Sequence, residues 1–132
     1  MTIEETADLL VPKDKHDIAT AQAAVQAGYP AVVPVLSELV AWLQDYNWPV
    51  AKVLAPFLAT IGIAMLPQVQ AVLVSDDLVW KRWVLSCVVS ESKELAEAVK
   101  AELLRLAHAA TPSEREEGLE EIALDIVKQL AL

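Results

Sequence analysis

Hydrophobic residues recur along this chain at the three- and four-residue spacing of an amphipathic helix. The clearest stripe consists of Val32, Leu36, Leu39, Val40 and Leu43. A similar stripe runs from residue 50 to residue 61. Gly62 then predicts a helix end, because glycine readily adopts the left-handed conformation found there. The pattern predicts that residues 31–62 form two helices joined by a short polar turn.

Further helices are predicted at residues 3–10, 14–27, 65–74 and 78–88, with another after Ser92 and a last one after residue 111. Several starts carry a side chain that can accept hydrogen bonds from the free amides of the first turn. These N-cap candidates are Asp14, Asn47, the group Ser75, Asp76 and Asp77, and Thr111. Thr111 is followed by Glu114 at the third helical position, the pattern of a capping box. Pro34 falls in the second turn of the helix that opens at residue 30. That helix is therefore either kinked at Pro34 or starts later.

A spacing of 32 residues relates two turns of the chain. Asp45 and Trp48 recur as Asp77 and Trp80, and each pair stands between two apolar helical segments. A helix-pair period in this range is typical of helical solenoids, in which each pair buries its apolar face against the next. We therefore predict an all-α fold, a HEAT-like or armadillo-type α-solenoid of about three to four antiparallel helix pairs. Residues 1–132 would form one domain, with N-terminal helices at 1–28, repeats at 29–64 and 65–90, and a C-terminal helix pair at 91–132.

The composition favours one helical domain over a membrane protein. Of the 132 residues, 55% are hydrophobic and only 3 are glycine, and the mean hydropathy is +0.40. Residues 53–74 carry no charge, and a membrane-spanning helix needs roughly 20 apolar residues. Because this run contains Pro56, Gly62 and Pro67, we interpret it as two buried helix segments. A transmembrane helix is the alternative.

The formal net charge is −9 and the isoelectric point is about 4.6. An acidic surface repels phosphate groups, so we do not expect nucleic acid as a partner, whereas a basic protein suits this charge. Residues 91–132 hold ten acidic and five basic side chains. Cys87 is the single cysteine, so no internal disulfide can form. The acidic N-terminus lacks the basic start of a signal peptide, and we predict a cytoplasmic protein.

Few residues suggest catalysis or metal binding. A metal site or a general base could use His16 with its neighbouring aspartates, but a solvated helix start explains the same residues better. Cys87 falls on an apolar helix face, which favours a small buried hydrophobic side chain. The glutamates at residues 114–121 fit the solvated first turns of a helix, and an acidic docking patch is the alternative. We predict no cofactor, no metal site and no enzymatic activity.

The tryptophans near the two turns are the best functional lead. Tryptophan buries a large area and keeps one hydrogen-bond donor, which explains its enrichment at interface hot spots. Trp42 and the other three rings either hold one repeat to the next or form a binding edge. The polar residues of the first turn either tie it to the helix amides or are presented to a partner. Our candidate partner-binding residues are Asp45, Asn47, Trp48, Trp80, Lys81 and Trp83.

Three stretches of the chain resemble a family of small bacterial proteins. They are residues 12–17 (PKDKHD), residues 42–51 (WLQDYNWPVA) and residues 77–85 (DLVWKRWVL). The resemblance extends from about residue 10 to residue 124 and centres on the motif WLQDxNWPVA. It implies a HEAT-like, armadillo-type helical fold. The family is a domain of unknown function, so the resemblance implies no activity.

We predict that the protein is a non-enzymatic module that binds another protein through a preformed groove or edge with tryptophan anchors. One concrete version is an acidic protein that neutralises a basic toxin, as an immunity protein does. The alternative is a small-ligand-binding protein or an enzyme with a polar site near His16, Asp45, Asn47 and Trp80. We expect a monomer or a homodimer, and neither nucleic acid nor a membrane as a partner.

Overall fold

The computed structural model describes residues 7–132, which form helices connected by turns. No residue in this range forms a β-strand, and the predicted all-α class is confirmed. The α-helices are α1 (Ile18–Ala27), α2 (Leu36–Ala41), α3 (Pro49–Ile61), α4 (Leu66–Leu73), α5 (Leu78–Cys87), α6 (Lys93–Ala98), α7 (Lys100–Ala109), α8 (Pro112–Glu116) and α9 (Leu119–Gln129). Short 3-10 helices connect several of them, at Val33–Val35, Trp42–Gln44, Gly62–Met65 and Val89–Glu91. The predicted helix at residues 3–10 lies largely outside the described residues.

Asp17, and not Asp14, caps α1. The Asp17 carboxylate accepts hydrogen bonds from the backbone amides of Lys13 (3.0 Å) and Thr20 (3.3 Å). These bonds, the one from Lys13 first, hold the pKa of the Asp17 carboxyl below its ordinary value. Asp14 instead accepts from the amide of His16 at 2.9 Å and closes a turn before the helix. The predicted N-cap is therefore wrong, three residues too early.

Trp48, and not Asn47, is the N-cap of α3, and its side chain makes no capping bond. The amide of Asn47 donates to the Asp45 carboxylate at 2.8 Å, so the aspartate shapes the turn before the helix. The amide of Val50, one of the free donors at the helix start, reaches the carbonyl of Lys15 at 3.1 Å. A carbonyl from a distant loop therefore satisfies a donor at this helix end, and the predicted capping role of Asn47 is wrong.

Three other helix boundaries follow from local chemistry. Pro34 lies in the 3-10 helix Val33–Val35, and α2 starts after it, which settles the two alternatives for this segment. Gly62 ends α3 as predicted, with a φ of +76° that side chains other than glycine rarely adopt. Asp77 caps α5 as predicted, since its carboxylate accepts from the Trp80 amide at 3.0 Å.

The C-terminal helices are shorter than the pattern predicts. Thr111 and Glu114 form the expected capping box, in which each side chain accepts from the other's backbone amide at 3.2 and 2.8 Å. The last predicted helix is nevertheless two helices, because Gly118 separates α8 from α9 with a φ of +87°. The helix after Ser92 is likewise divided, at Val99, into α6 and α7.

The two Asp-x-x-Trp turns differ in structure. Trp48 precedes the first residue of α3, whereas Trp80 is the third residue of α5. Asp77 bonds to the Trp80 amide within its helix, while Asp45 bonds to an amide before the helix begins. The spacing of 32 residues therefore does not correspond to two equivalent turns.

One continuous hydrophobic core joins the helices. Helix α9 packs mainly on α7 and also on α5, and α1 packs on α3. The apolar stripe at residues 32–43 is buried as predicted, whereas the apolar Ile18 at the first position of α1 is 38% exposed. Fully buried leucines and one methionine form the centre of the core: Leu39, Leu43, Leu54, Leu58, Met65, Leu85, Leu95, Leu103, Leu106 and Leu119.

The apolar stretch Pro49–Leu73 has 25 residues and a mean hydropathy of 1.8, so by length and composition alone it is able to cross a membrane. Gly62 interrupts the stretch, and a 3-10 helix separates α3 from α4. Leu54, Leu58 and Met65 of this stretch are fully buried in the core. It therefore consists of two core helix segments, as its proline and glycine residues predict.

Candidate functional site

Three of the four tryptophans pack against the hydrophobic core. Trp42 and Trp48 meet edge to face, with ring centroids 5.7 Å apart and planes at 74°. The indole Nε1 of Trp80 donates to the carbonyl of Val40 at 3.0 Å and joins α5 to α2. These contacts agree with the interpretation in which the rings hold helices together.

Trp83 has different surroundings. In the part of the chain that the structure describes, it is not among the side chains packed against the core. Its ring stacks on Tyr46, with centroids 5.2 Å apart and planes at 29°. The guanidinium carbon of Arg82 lies 4.9 Å from the Trp83 centroid, and Arg82 Nη1 lies 3.7 Å from the Glu117 carboxylate. We call Tyr46, Arg82, Trp83 and Glu117 the Trp83 cluster. Lys81, which is partly exposed, lies beside it in the chain.

An open groove of about 720 Å³ extends from this cluster along α3 and α5. Tyr46 lines it at one place, and Pro56, Gly62, Cys87 and Glu91 line it elsewhere. The volume is within the range of about 300–1,000 Å³ that small-molecule and peptide-sized sites occupy. We call this cavity the Tyr46 groove. It combines apolar walls with an aromatic ring and one carboxylate.

Cys87 and Glu91 determine the polar chemistry of the groove. Burial raises the pKa of the Cys87 thiol, and the Glu91 carboxylate raises it further. At neutral pH the side chain is therefore a neutral thiol, and not the thiolate that nucleophilic catalysis needs. Glu91 is exposed. Within residues 7–132 its carboxylate makes no ion pair.

The cavity beside Trp80 does not include the other three residues of the alternative polar site. Trp80 lines a small cavity of about 130 Å³ together with Gln68, whose buried Oε1 has no hydrogen-bond partner among the described residues. His16, Asp45 and Asn47 do not line that cavity. His16 is exposed in the loop before α1, and the other two belong to the turn before α3.

The glutamates after Thr111 are not uniformly solvated. Glu114 is only 5% exposed, which corrects the interpretation of this run as a solvated first turn. Its carboxylate accepts hydrogen bonds from Arg105 at 2.7 and 3.1 Å. Arg105 first, and the Thr111 amide as well, lower the pKa of Glu114 from 4.5 to about 2. Arg105 also binds Glu102 at 2.7 Å, so the three side chains form one network. Among residues 7–132 no three His, Cys, Asp or Glu side chains are grouped to hold a metal ion.

Tyr46 and Glu91 are residues of this surface that sequence reasoning missed. Tyr46 stands between Asp45 and Asn47 inside the WLQDYNWPVA stretch, and the sequence analysis selected these two polar neighbours as candidate residues instead. An aromatic residue in a polar turn is a usable signal, because such a ring needs a partner surface. Its partner Trp83 is 37 positions away, and only the packing of α5 beside this turn brings the two rings together.

These features define a small all-α protein with a surface groove that is lined by apolar residues, Tyr46 and Glu91. A family model matches residues 10–127, and the chain belongs to the family described as Domain of unknown function (DUF5071). No curated protein matches the chain. The family therefore covers most of the chain without supplying an activity.

Proposed function

We propose that this protein is a non-enzymatic protein-interaction module, and that the Tyr46 groove and the adjoining Trp83 cluster receive its partner. The observation that carries the proposal is the open groove of about 720 Å³ with Tyr46 stacked on Trp83 at its side. Partner proteins commonly bind at concave surfaces with large aromatic anchors, because such rings bury much area at a small entropic cost.

The contrast between Trp80 and Trp83 supports this assignment. Trp80 packs on the core and uses its indole donor on Val40, so its contribution to folding is evident. Trp83 does not pack on the core directly. It stacks on Tyr46, which does pack there, and its other side lies beside the partly exposed Arg82. Of the candidate residues chosen from the sequence, Trp83 is therefore the best anchor for a partner. Asp45 and Trp48 are better explained by the turn before α3.

Charge favours a basic partner. The net charge of −9 attracts a basic protein at long range and raises the rate of encounter. A bacterial protein of the cytoplasm that neutralises a basic toxin is one concrete version of the proposal. The scaffold we propose is HEAT-like, a view supported by the succession of short α-helices between residues 18 and 129. Such a scaffold holds a groove in place without a ligand.

A small-ligand function is the second candidate, and the cavity beside Trp80 supports it. The buried Oε1 of Gln68 has no partner among the described residues, and a ligand with an N–H or O–H group would satisfy it there. Thermal shift with a set of small amides and alcohols tests this candidate. A shift that Gln68→Met abolishes would favour the ligand, whereas the absence of any shift would reject it.

The test of the interaction proposal is a pull-down from lysate of the source cell, followed by mass spectrometry. Wild type is compared with Trp83→Ala, and Tyr29→Ala is the control because Tyr29 is a half-exposed aromatic side chain that does not line the groove. We expect one protein that wild type and the control retain and Trp83→Ala loses. Retention should fall as salt rises, because salt screens the attraction. Equal retention by all three proteins, or none by wild type, would contradict the proposal.

A further inference from the structure

We infer that the Tyr46 groove binds an arginine side chain of a basic partner protein, with the guanidinium held between the Tyr46 ring and the Glu91 carboxylate. The inference rests on the proposed function and names the chemistry of the partner. Both residues line one groove, one as an aromatic ring and the other as the charged group among its lining side chains. A ring and a carboxylate in one concave site are the two groups that a guanidinium binds best.

Glu91 has the position and the charge for this role. Two glutamates after Thr111 are already paired, Glu117 with Arg82 and Glu114 with Arg105. Within residues 7–132, Glu91 is left without an ion pair. Its side chain and that of Cys87 both line the groove. The Glu91 charge also raises the pKa of the Cys87 thiol. A carboxylate in a cleft concentrates positive charge there.

The aromatic pair beside the groove already accepts one guanidinium. Arg82 lies over the Trp83 ring at 4.9 Å from its centroid, within the distance of about 6 Å that defines a cation–π contact. Trp83 stacks on Tyr46, and Tyr46 lines the groove. The stack therefore has a cation of the chain itself on Trp83, and its second ring, Tyr46, lines the groove where a partner's cation would bind.

The rest of the groove suits the remainder of an arginine side chain. Ala55, Pro56, Ala59 and the Gly62 backbone supply apolar surface for the aliphatic stem, which such side chains bury while the charged head keeps polar contacts. Arginine fits better than lysine, because its planar group stacks on a ring and bonds a carboxylate with two donors at once. The net charge of −9 adds attraction for a segment with further basic residues.

The experiment titrates the nitrogen-15-labelled full chain with the peptide Ac-Ala-Arg-Ala-NH2 and follows its amide resonances. The matched ligand carries citrulline in place of arginine, which has nearly the same shape without the charge. Glu91→Gln removes the groove carboxylate. Glu94→Gln is the control variant, because Glu94 is exposed on α6, carries the same charge and does not line the groove.

We expect resonances of Tyr46, Cys87 and Glu91 to shift with the arginine peptide and to stay in place with the citrulline peptide. In Glu91→Gln, the arginine peptide should cause shifts no larger than those the citrulline peptide causes in wild type. In Glu94→Gln, the affinity for the arginine peptide should stay within about twofold of wild type. Equal shifts with both peptides, no shift in the groove, or unchanged binding by Glu91→Gln would each overturn the inference. Free L-arginine that binds about tenfold more tightly than the peptide would also overturn it, in favour of a small-molecule ligand.

Failure of the inference is distinguishable from failure of the proposed function. A lysate protein that Trp83→Ala loses but Glu91→Gln retains fully would leave the interaction module standing and reject the arginine contact. The opposite result is also possible. Resonances of groove residues that shift with the arginine peptide, and no longer shift in Glu91→Gln, would support the guanidinium site even if no lysate protein is retained.

Discussion

The Glu114–Arg105 pair at the start of α8 provides a quantitative test of the structure. The Glu114 carboxylate accepts two bonds from Arg105 and one from the Thr111 amide, at 2.7–3.1 Å. Glu114→Gln keeps an acceptor for the Thr111 amide, since glutamine also serves in a capping box, but removes the charge that faces Arg105. Glu114→Ala removes both contributions. The two substitutions therefore separate the charge from the cap.

The lowered pKa of Glu114 gives the expected loss in the free energy of unfolding. A fall from 4.5 to about 2 corresponds to about 3 kcal/mol of unfolding free energy, at about 1.4 kcal/mol per pKa unit. The Arg105 side chain is 39% exposed, so water screens the pair, and we expect Glu114→Gln to lower the free energy of unfolding by about 2 kcal/mol. Glu114→Ala should cost about 1 kcal/mol more, because the Thr111 amide then loses its acceptor.

The pH dependence has a definite sign. The folded pKa of Glu114 is below its ordinary value of 4.5, so the stabilisation is fully present above pH 4.5 and is lost as pH falls from 4.5 towards 2. The stability difference between wild type and Glu114→Gln should therefore narrow over this window. Above pH 5 it should be constant.

Urea denaturation followed by circular dichroism at pH 7 and pH 3 measures both effects. Glu116→Gln is the control, because Glu116 is an exposed neighbour of the same charge and should change stability by less than about 0.5 kcal/mol. Two results would refute the reasoning. One is a Glu114→Gln variant as stable as Glu116→Gln, and the other is a stability difference that does not change between the two pH values.

Three further substitutions test other parts of the fold by the same denaturation assay. Trp80→Phe should cost about 1 kcal/mol, because the bond to the Val40 carbonyl is lost, and a neutral result would contradict that role. Gln68→Met should stabilise by about 1 kcal/mol, since its buried Oε1 has no described partner; destabilisation would indicate a bound water or ligand. Gly118→Ala should lower the free energy of unfolding by about 1–2 kcal/mol, because alanine is strained at a φ of +87°. No steric clash adds to this cost, since an added Cβ would have no atom within 4 Å. An unchanged midpoint would contradict the left-handed conformation.

Local chemistry explains which boundaries are predictable from the chain. Asp77 and the Thr111–Glu114 capping box were recognised because each accepts a bond from an amide three residues away. Gly62 was recognised because only glycine takes its φ at low cost. Asn47 was assigned wrongly as an N-cap. The free amide of Val50 at this helix start donates instead to the carbonyl of Lys15, which is 35 positions earlier in the chain. Sequence reasoning has no access to such a partner.

The candidate site was only partly predictable, because residues distant in the chain form it. The composition of the turns pointed to the tryptophans, and Trp83 is the one whose surroundings suit a partner. Neither Tyr46 nor Glu91 was selected, because nothing near them in the chain indicates a groove. The 32-residue spacing suggested equivalent turns, yet Trp48 and Trp80 occupy different helix positions. An equal spacing in the sequence shows that the same residue types recur. It does not show that they occupy the same position within a helix.

The sequence by itself determined the all-α class, the apolar faces and most helix ends of this protein, because helical periodicity and capping act over three or four residues. Only the tertiary structure decided the contacts of the aromatic residues. Trp80 reaches a carbonyl forty positions away, and Tyr46 meets Trp83 across thirty-seven. Which ring packs on the core and which does not depends on how α2, α3 and α5 pack together, and that packing involves residues of the whole core.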